Sequence, residues 1–166
     1  MVRVHVLGIA RDAEGQHIVL LKPDSEAQGV GRILPIWIGE QEATSTLIAL
    51  GQDEPPRPLT HDLMKTLVDA VGARVERVDV TSIDAGTFHA AITLVTSTGG
   101  ALTLDSRPSD AVALAIRADS PIFVADEVLE EAGIPSALVE EVESDEEALD
   151  EFKRFLEDVD PDDFQG

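Results

Sequence analysis

Carboxylates, guanidinium groups and one histidine gather at three places in this sequence where a helix is predicted to begin. The first is Asp105-Ser106-Arg107-Pro108-Ser109-Asp110, where the alternating stretch Ala101-Leu102-Thr103-Leu104 runs into a helical pattern carried by Val112, Ala115 and Ile116. Pro108 suits a first helical turn, where its missing N–H costs nothing. Carboxylates at a helix start can ligate Mg²⁺ or Mn²⁺, which take oxygen ligands and retain water for phosphate chemistry. Arg107 can hold a phosphate bidentately. The competing role for Asp110 is to cap its helix while Arg107 pairs internally. The second place is Arg57-Pro58-Leu59-Thr60-His61-Asp62, which holds the one histidine outside a predicted strand. His61 beside Asp62 can move protons near neutral pH, with Arg57 available for a phosphate. The competing reading has Thr60 and Asp62 capping the helix and His61 exposed. The third is Glu40 and Glu42, which either complement the helix dipole or join a metal site. The metal set read this way is Glu42, Asp105 and Asp110.

The elements that must position these groups follow from periodicity. Residues 2–10 and 16–22 form a hairpin turned at Asp12-Ala13-Glu14-Gly15. A Gly-rich stretch, Gln28-Gly29-Val30-Gly31, lacks the Lys-Ser or Lys-Thr of a phosphate cradle. The strand Ile33–Ile38 follows, with Pro35 implying an edge or a bulge and Trp37 expected in the core. A helix runs from Gly39-Glu40 to Leu50, with Ala43, Leu47, Ile48 and Leu50 as its apolar stripe. A second, capped by Thr60, carries Leu63, Met64, Leu67, Val68 and Val71 at helical spacing. A hairpin over 74–84 and 87–96, a third strand and the helix from Pro108 repeat the first order of elements. Trp37–Leu50 superimposes on Asp105–Ala118 with an offset of 68, placing Glu42 on Asp110. A short strand over 121–124, a brief helix capped by Asp126 and ended by Gly133, and an amphipathic helix over 144–159 complete the chain. The fold expected is α+β: a mixed, largely antiparallel sheet from two hairpin–strand–helix units, an internal duplication in outline, plus C-terminal helices. Residues 1–134 form the domain and 135–166 an acidic extension.

Composition sets limits. The 166 residues contain no cysteine, which removes disulfides, thiolate metal sites and cysteine nucleophiles. Hydrophobic content is 43% with 4% aromatics, so the core is built of Val, Leu, Ile and Ala. No run is long enough to span a membrane and no signal peptide is evident, so a soluble cytoplasmic protein is expected. The net charge is −21, of which residues 126–166 carry −15. Such a field opposes tight non-specific binding of a polyanion. No zinc, dinucleotide, P-loop or nucleophile-elbow signature is present. The His-Asp pair does not extend to an HD-type phosphohydrolase, because His5, His17 and His89 are scattered on strands.

Several stretches in order resemble the bifunctional nuclease family: Leu34-Pro35-Ile36-Trp37-Ile38-Gly39-Glu40-Gln41-Glu42-Ala43, Arg57–Leu63, Thr87-Phe88-His89-Ala90 and Ser106–Ala113. Pro121–Val124 with Val128-Leu129 and Ala132-Gly133, and the tail Phe152–Leu156 with Pro161–Phe164, extend the likeness. His89 stands where members more often carry tyrosine. The resemblance implies an α+β domain, a homodimer, and cleavage of RNA and DNA as attributed to plant members. On that reading Glu42, Asp105 and Asp110 activate water or hold Mg²⁺ or Mn²⁺. His61 with Asp62 supplies acid–base catalysis, and Arg57 and Arg107 bind phosphate. The alternative is a non-catalytic, ligand-binding or regulatory homodimer whose polar motifs are structural.

Overall fold

The computed structural model describes residues 1–25 and 31–140. The Gly-rich stretch at 28–30 and the helix expected over 144–159 therefore lie outside the described residues. The element order is β1 (Val2–Arg11), β2 (His17–Pro23), β3 (Arg32–Ile38), α1 (Glu40–Leu50), α2 (Thr60–Ala70), β4 (Ala73–Asp84), β5 (Thr87–Thr96), β6 (Ala101–Ser106), α3 (Pro108–Ala118), β7 (Ile122–Val124), α4 (Asp126–Ala132), β8 (Ile134–Pro135) and α5 (Ala137–Glu140). None of these helices is long and apolar enough to cross a membrane.

The strands form one mixed sheet in the order β6-β5-β4-β7-β1-β2-β3-β8. β1, β2 and β3 are an antiparallel meander, and so are β4, β5 and β6. Each meander is followed by a helix at its third strand, as the repeated order of elements predicts. The three-residue strand β7 joins them, parallel to β4 and antiparallel to β1. The two units therefore extend outward from β7 in opposite directions. The turn at Ala85-Gly86 places both residues at positive φ, which a two-residue hairpin requires.

Strand alternation sorts the side chains onto two faces. Val19, Leu21, Leu34, Ile36, Val78, Val80, Ile92, Ile122 and Val124 meet Ala111, Val112, Leu114 and Ala115 of α3 and Val128, Leu129 and Ala132 of α4 in the main core. A smaller cluster on the opposite face packs Ile18, Leu20, Ile33 and Trp37 against Ile134 and Val139. Trp37 is a core residue, and its Nε1–H donates to Asp12 Oδ2 at 3.0 Å. Pro35 pairs with Leu20 of β2, and on its other side it lies beyond the two β3 residues that pair with β8, an open edge of the kind a strand proline favours.

Three local expectations are corrected. The stripe of α1 does not bury as a whole: Ala43 is buried with Ser45 and Thr46, whereas Leu47 and Leu50 are exposed. α1 turns a polar edge inward because its first two turns face a polar cluster. Thr60 is the first residue of α2 rather than its cap, which is Leu59, and the first-turn acid Asp62 reaches back to the Leu59 N–H. Asp126 likewise opens α4 after the cap Ala125, and its carboxylate meets the amino group of Met1.

Candidate active site

α1, α2 and α3 all begin at the same side of the sheet. Each carries an acid at its third position: Glu42 after the cap Gly39, Asp62 after Leu59, and Asp110 after Arg107. None of the three helices receives a side-chain hydrogen bond from its cap residue. Their first turns surround an open cleft of about 540 Å³, lined by Glu40, Gln41, Glu42, Thr44, Ser45, Leu59, Thr60, His61, Arg107 and Asp110.

The helix-start groups form a chain across the three helices. The Arg107 Nε–H donates to Asp110 Oδ2 at 2.8 Å and its Nη2–H to Glu42 Oε1 at 2.9 Å. Glu42 and Asp110, equivalent by the offset of the two units, thus face each other with one guanidinium between them. The position equivalent to Arg107 in the first unit is Gly39. The space a Cβ would fill there is taken by Glu42 Oε2, so glycine lets that carboxylate fold over its own helix start. Asp110 Oδ1 lies 2.9 Å from His61 Nε2, and His61 Nδ1 lies 2.7 Å from Ser45 Oγ. His61 is 5% exposed, with both ring nitrogens engaged. Behind it, Arg117 donates through Nη2 to Ser45 Oγ at 3.0 Å and to the Ser45 carbonyl at 3.1 Å, and through Nε to Asp62 Oδ1 at 2.7 Å.

The charges respond accordingly. Burial opposes ionisation of Asp110, but the hydrogen bonds from Arg107 and then His61 outweigh it and lower its pKa. Asp62 is also lowered, chiefly by the hydrogen bond from Arg117, against burial and with help from the Leu59 N–H. Arg107 is raised by its bonds to Asp110 and then Glu42. Asp110 is therefore neither exposed nor a backbone cap: it is an anion shared by a guanidinium and an imidazole.

The structure brings Glu42, His61, Arg107 and Asp110 to one cleft and places Asp62 just behind it. It does not bring Asp105 or Arg57. Asp105 pairs with Ala91, while its neighbour Leu104 pairs with the core residue Ile92, so Asp105 points away from the helices on the other face of the sheet. Strand alternation moves it there although only four residues lie between it and Asp110. Arg57 is exposed in the α1–α2 connection and does not line the cleft. The expected metal set of Glu42, Asp105 and Asp110 is consequently not assembled, and no group of three His, Asp or Glu among the described residues is placed to hold a metal ion. Ser45 and Arg117 join the site without a sequence motif that marks them. The signal they carry is a polar residue on the inward side of α1 and an arginine in the last turn of α3, after the apolar run from Ala111 to Ile116.

The sequence profile of the bifunctional nuclease domain matches residues 19–137, which include every residue of this chain of contacts. The chain belongs to the bifunctional nuclease domain family. A Mycobacterium tuberculosis protein described as uncharacterized is 40% identical over 175 aligned residues, covering 100% of this chain and 99% of that relative. Bifunctional nuclease 1 of Oryza sativa subsp. japonica is 28% identical over 116 residues, 69% of this chain and 34% of the rice protein. Bifunctional nuclease 2 of Arabidopsis thaliana is 32% identical over 98 residues, 58% of this chain and 30% of the plant protein. This member of the bifunctional nuclease domain family thus spans about a third of the length of its plant relatives.

Proposed function

We propose that the cleft binds and hydrolyses phosphodiester bonds of RNA and DNA. The observation that carries this reading is the convergence of three helix N-termini on a cavity that also presents Arg107, whose side chain is 58% exposed. Helix starts direct N–H groups and partial positive charge at an anion. Arg107 binds the non-bridging oxygens and offsets the charge that develops at phosphorus, while Glu42 keeps it aimed. The dyad of His61 and ionised Asp110 takes the proton from the attacking water. The names of the plant relatives support the same chemistry. Glu42 and Asp110 are both paired with Arg107. A hydrated Mg²⁺ or Mn²⁺ arriving with the phosphate chain could use one carboxylate and keep its waters. A homodimer is proposed as well, supported by Leu63 and Leu67 of α2 and Val71 at its C-terminal cap, exposed at every fourth position.

The test is cleavage of end-labelled single-stranded RNA and DNA with Mg²⁺, Mn²⁺ or EDTA. Arg107→Ala removes a charge-assisted contact worth about 1.5–3 kcal/mol, or roughly 10- to 100-fold in kcat/KM. Asp105→Ala leaves cleavage unchanged, because its side chain faces away. Absence of cleavage in every buffer, or an Arg107→Ala protein as active as wild type, overturns the reading. The second reading is a non-catalytic, ligand-binding homodimer. It is favoured by one observation: no buried side-chain polar atom among the described residues lacks a partner, and the site's charges already satisfy each other.

A further inference from the structure

His61 lines the cleft, but both of its ring nitrogens are already bonded, so neither offers a free lone pair to a substrate. The network nevertheless specifies where its protons are. Asp110 is ionised, and a carboxylate only accepts, so His61 Nε2 carries a hydrogen and donates it. In a neutral imidazole Nδ1 is then the acceptor, and the partner that must donate to it is the Ser45 hydroxyl at 2.7 Å. A helical serine ordinarily turns its hydroxyl to the carbonyl four residues back. Here Arg117, which can only donate, fills one Ser45 Oγ lone pair at 3.0 Å and leaves the hydroxyl hydrogen free to point at Nδ1. Arg117 is itself held by Asp62 Oδ1, Ala113 O and Ser45 O. Ser45, unlike Arg117, lines the cleft.

We propose that Ser45 is a catalytic proton shuttle between the cleft and the buried His61–Asp110 dyad, with Arg117 as the residue that orients it. This rests on the cleft being a phosphodiesterase site. As water attacks phosphorus, an O–P bond forms and the water proton passes to Ser45 Oγ while the Ser45 proton passes to His61 Nδ1. Ser45 is unchanged at the end, and the imidazolium donates to Asp110 from Nε2. The leaving oxygen, opposite the attacking water in an in-line displacement, takes a proton from solvent as its bond to phosphorus breaks, and the proton on His61 returns through Ser45 to water in the cleft.

Three measurements on the intact protein test this. In long-range ¹H–¹⁵N spectra, wild-type His61 is the Nε2–H tautomer set by Asp110, and Ser45→Ala, a substitution that suits a helix, keeps that tautomer while the Nδ1 resonance moves toward that of an unbonded ring nitrogen. In the cleavage assay, Ser45→Ala lowers kcat about 100-fold or more with KM nearly unchanged, and Ser45→Thr, which keeps the hydroxyl, restores most of it. In mixtures of H₂O and D₂O the wild-type rate falls along a curve, because two protons move together, and the residual Ser45→Ala rate falls along a line. A wild-type Nδ1–H tautomer, an active protein indifferent to Ser45→Ala, or a phosphoryl group trapped on Ser45 overturns the shuttle. The last outcome would make Ser45 the nucleophile. If the wild type cleaves nothing, the phosphodiesterase reading fails, and the spectra still decide whether Ser45 donates to His61 Nδ1.

Discussion

Replacing Asp62 by Asn tests whether this residue is a strut rather than a participant in the chemistry. Asn keeps the size of the side chain and one oxygen for the Leu59 N–H, now 2.8 Å from Asp62 Oδ2, while its NH₂, which cannot accept, replaces the oxygen that meets Arg117, so the change removes both the charge and that hydrogen bond. What it removes is the anion opposite Arg117, 2.7 Å away. The Arg117 side chain is 7% exposed and Asp62 28%, so the pair lies between two limits. Breaking a fully buried pair costs about 3–5 kcal/mol, and an exposed pair is worth about 0.2–1 kcal/mol. Arg117 keeps three neutral acceptors, Ala113 O, Ser45 O and Ser45 Oγ, which soften the loss. The expected cost is therefore about 2–3 kcal/mol at pH 7, a fall in Tm of roughly 5–10 °C for a chain of this size. The pH dependence has a definite sign. Asp62 is lowered in the folded state, so its stabilisation is complete above the unfolded value of about 3.9 and is lost as pH falls through the folded value. Urea unfolding of both proteins from pH 7 down to pH 3 should show a difference that is largest at neutral pH and narrows below about pH 4. A difference under about 0.5 kcal/mol at pH 7, the level of an exposed pair, refutes the strut, as does one that widens in acid.

Other predictions concern the cleft and the surface. Gly39→Ala suits the local backbone at φ −69 and ψ 159, so it should change stability by no more than about 1 kcal/mol. It should nonetheless push the Glu42 carboxylate off Arg107, so that Glu42→Gln adds nothing to cleavage or stability in that background; additive effects of the two changes would contradict the crowding. Gly133→Ala meets backbone instead, because its Cβ would occupy the place of the Leu129 carbonyl oxygen. It should cost about 2 kcal/mol or more by thermal unfolding. Leu67→Glu places a charge on the exposed stripe of α2, 57% open at that residue. Light scattering should then report a monomer where the wild type is a dimer, and unchanged mass would exclude this face as the contact.

The alternating and helical patterns of this sequence determine nearly every element described, because each is set by local burial periodicity and by turn residues such as Ala85-Gly86 and Gly72. The offset that lays Glu42 on Asp110 also foretold a genuine spatial relation, since two like meanders built out from β7 bring their following helices together. Tertiary structure alone decided which polar residues meet. Asp105 and Asp110 are near in sequence, but strand alternation sends the first to one face of the sheet while the helix turns the second toward the other. Ser45, His61 and Asp110 are far apart in sequence and lie within hydrogen-bonding distance through packing of α1, α2 and α3. The role of Arg117 belongs to the same class: nothing local distinguishes a salt-bridged arginine from a solvated one at a helix end. Hydrogen bonds between elements depend on where the sheet places each helix start, and that is a property of the whole packed chain.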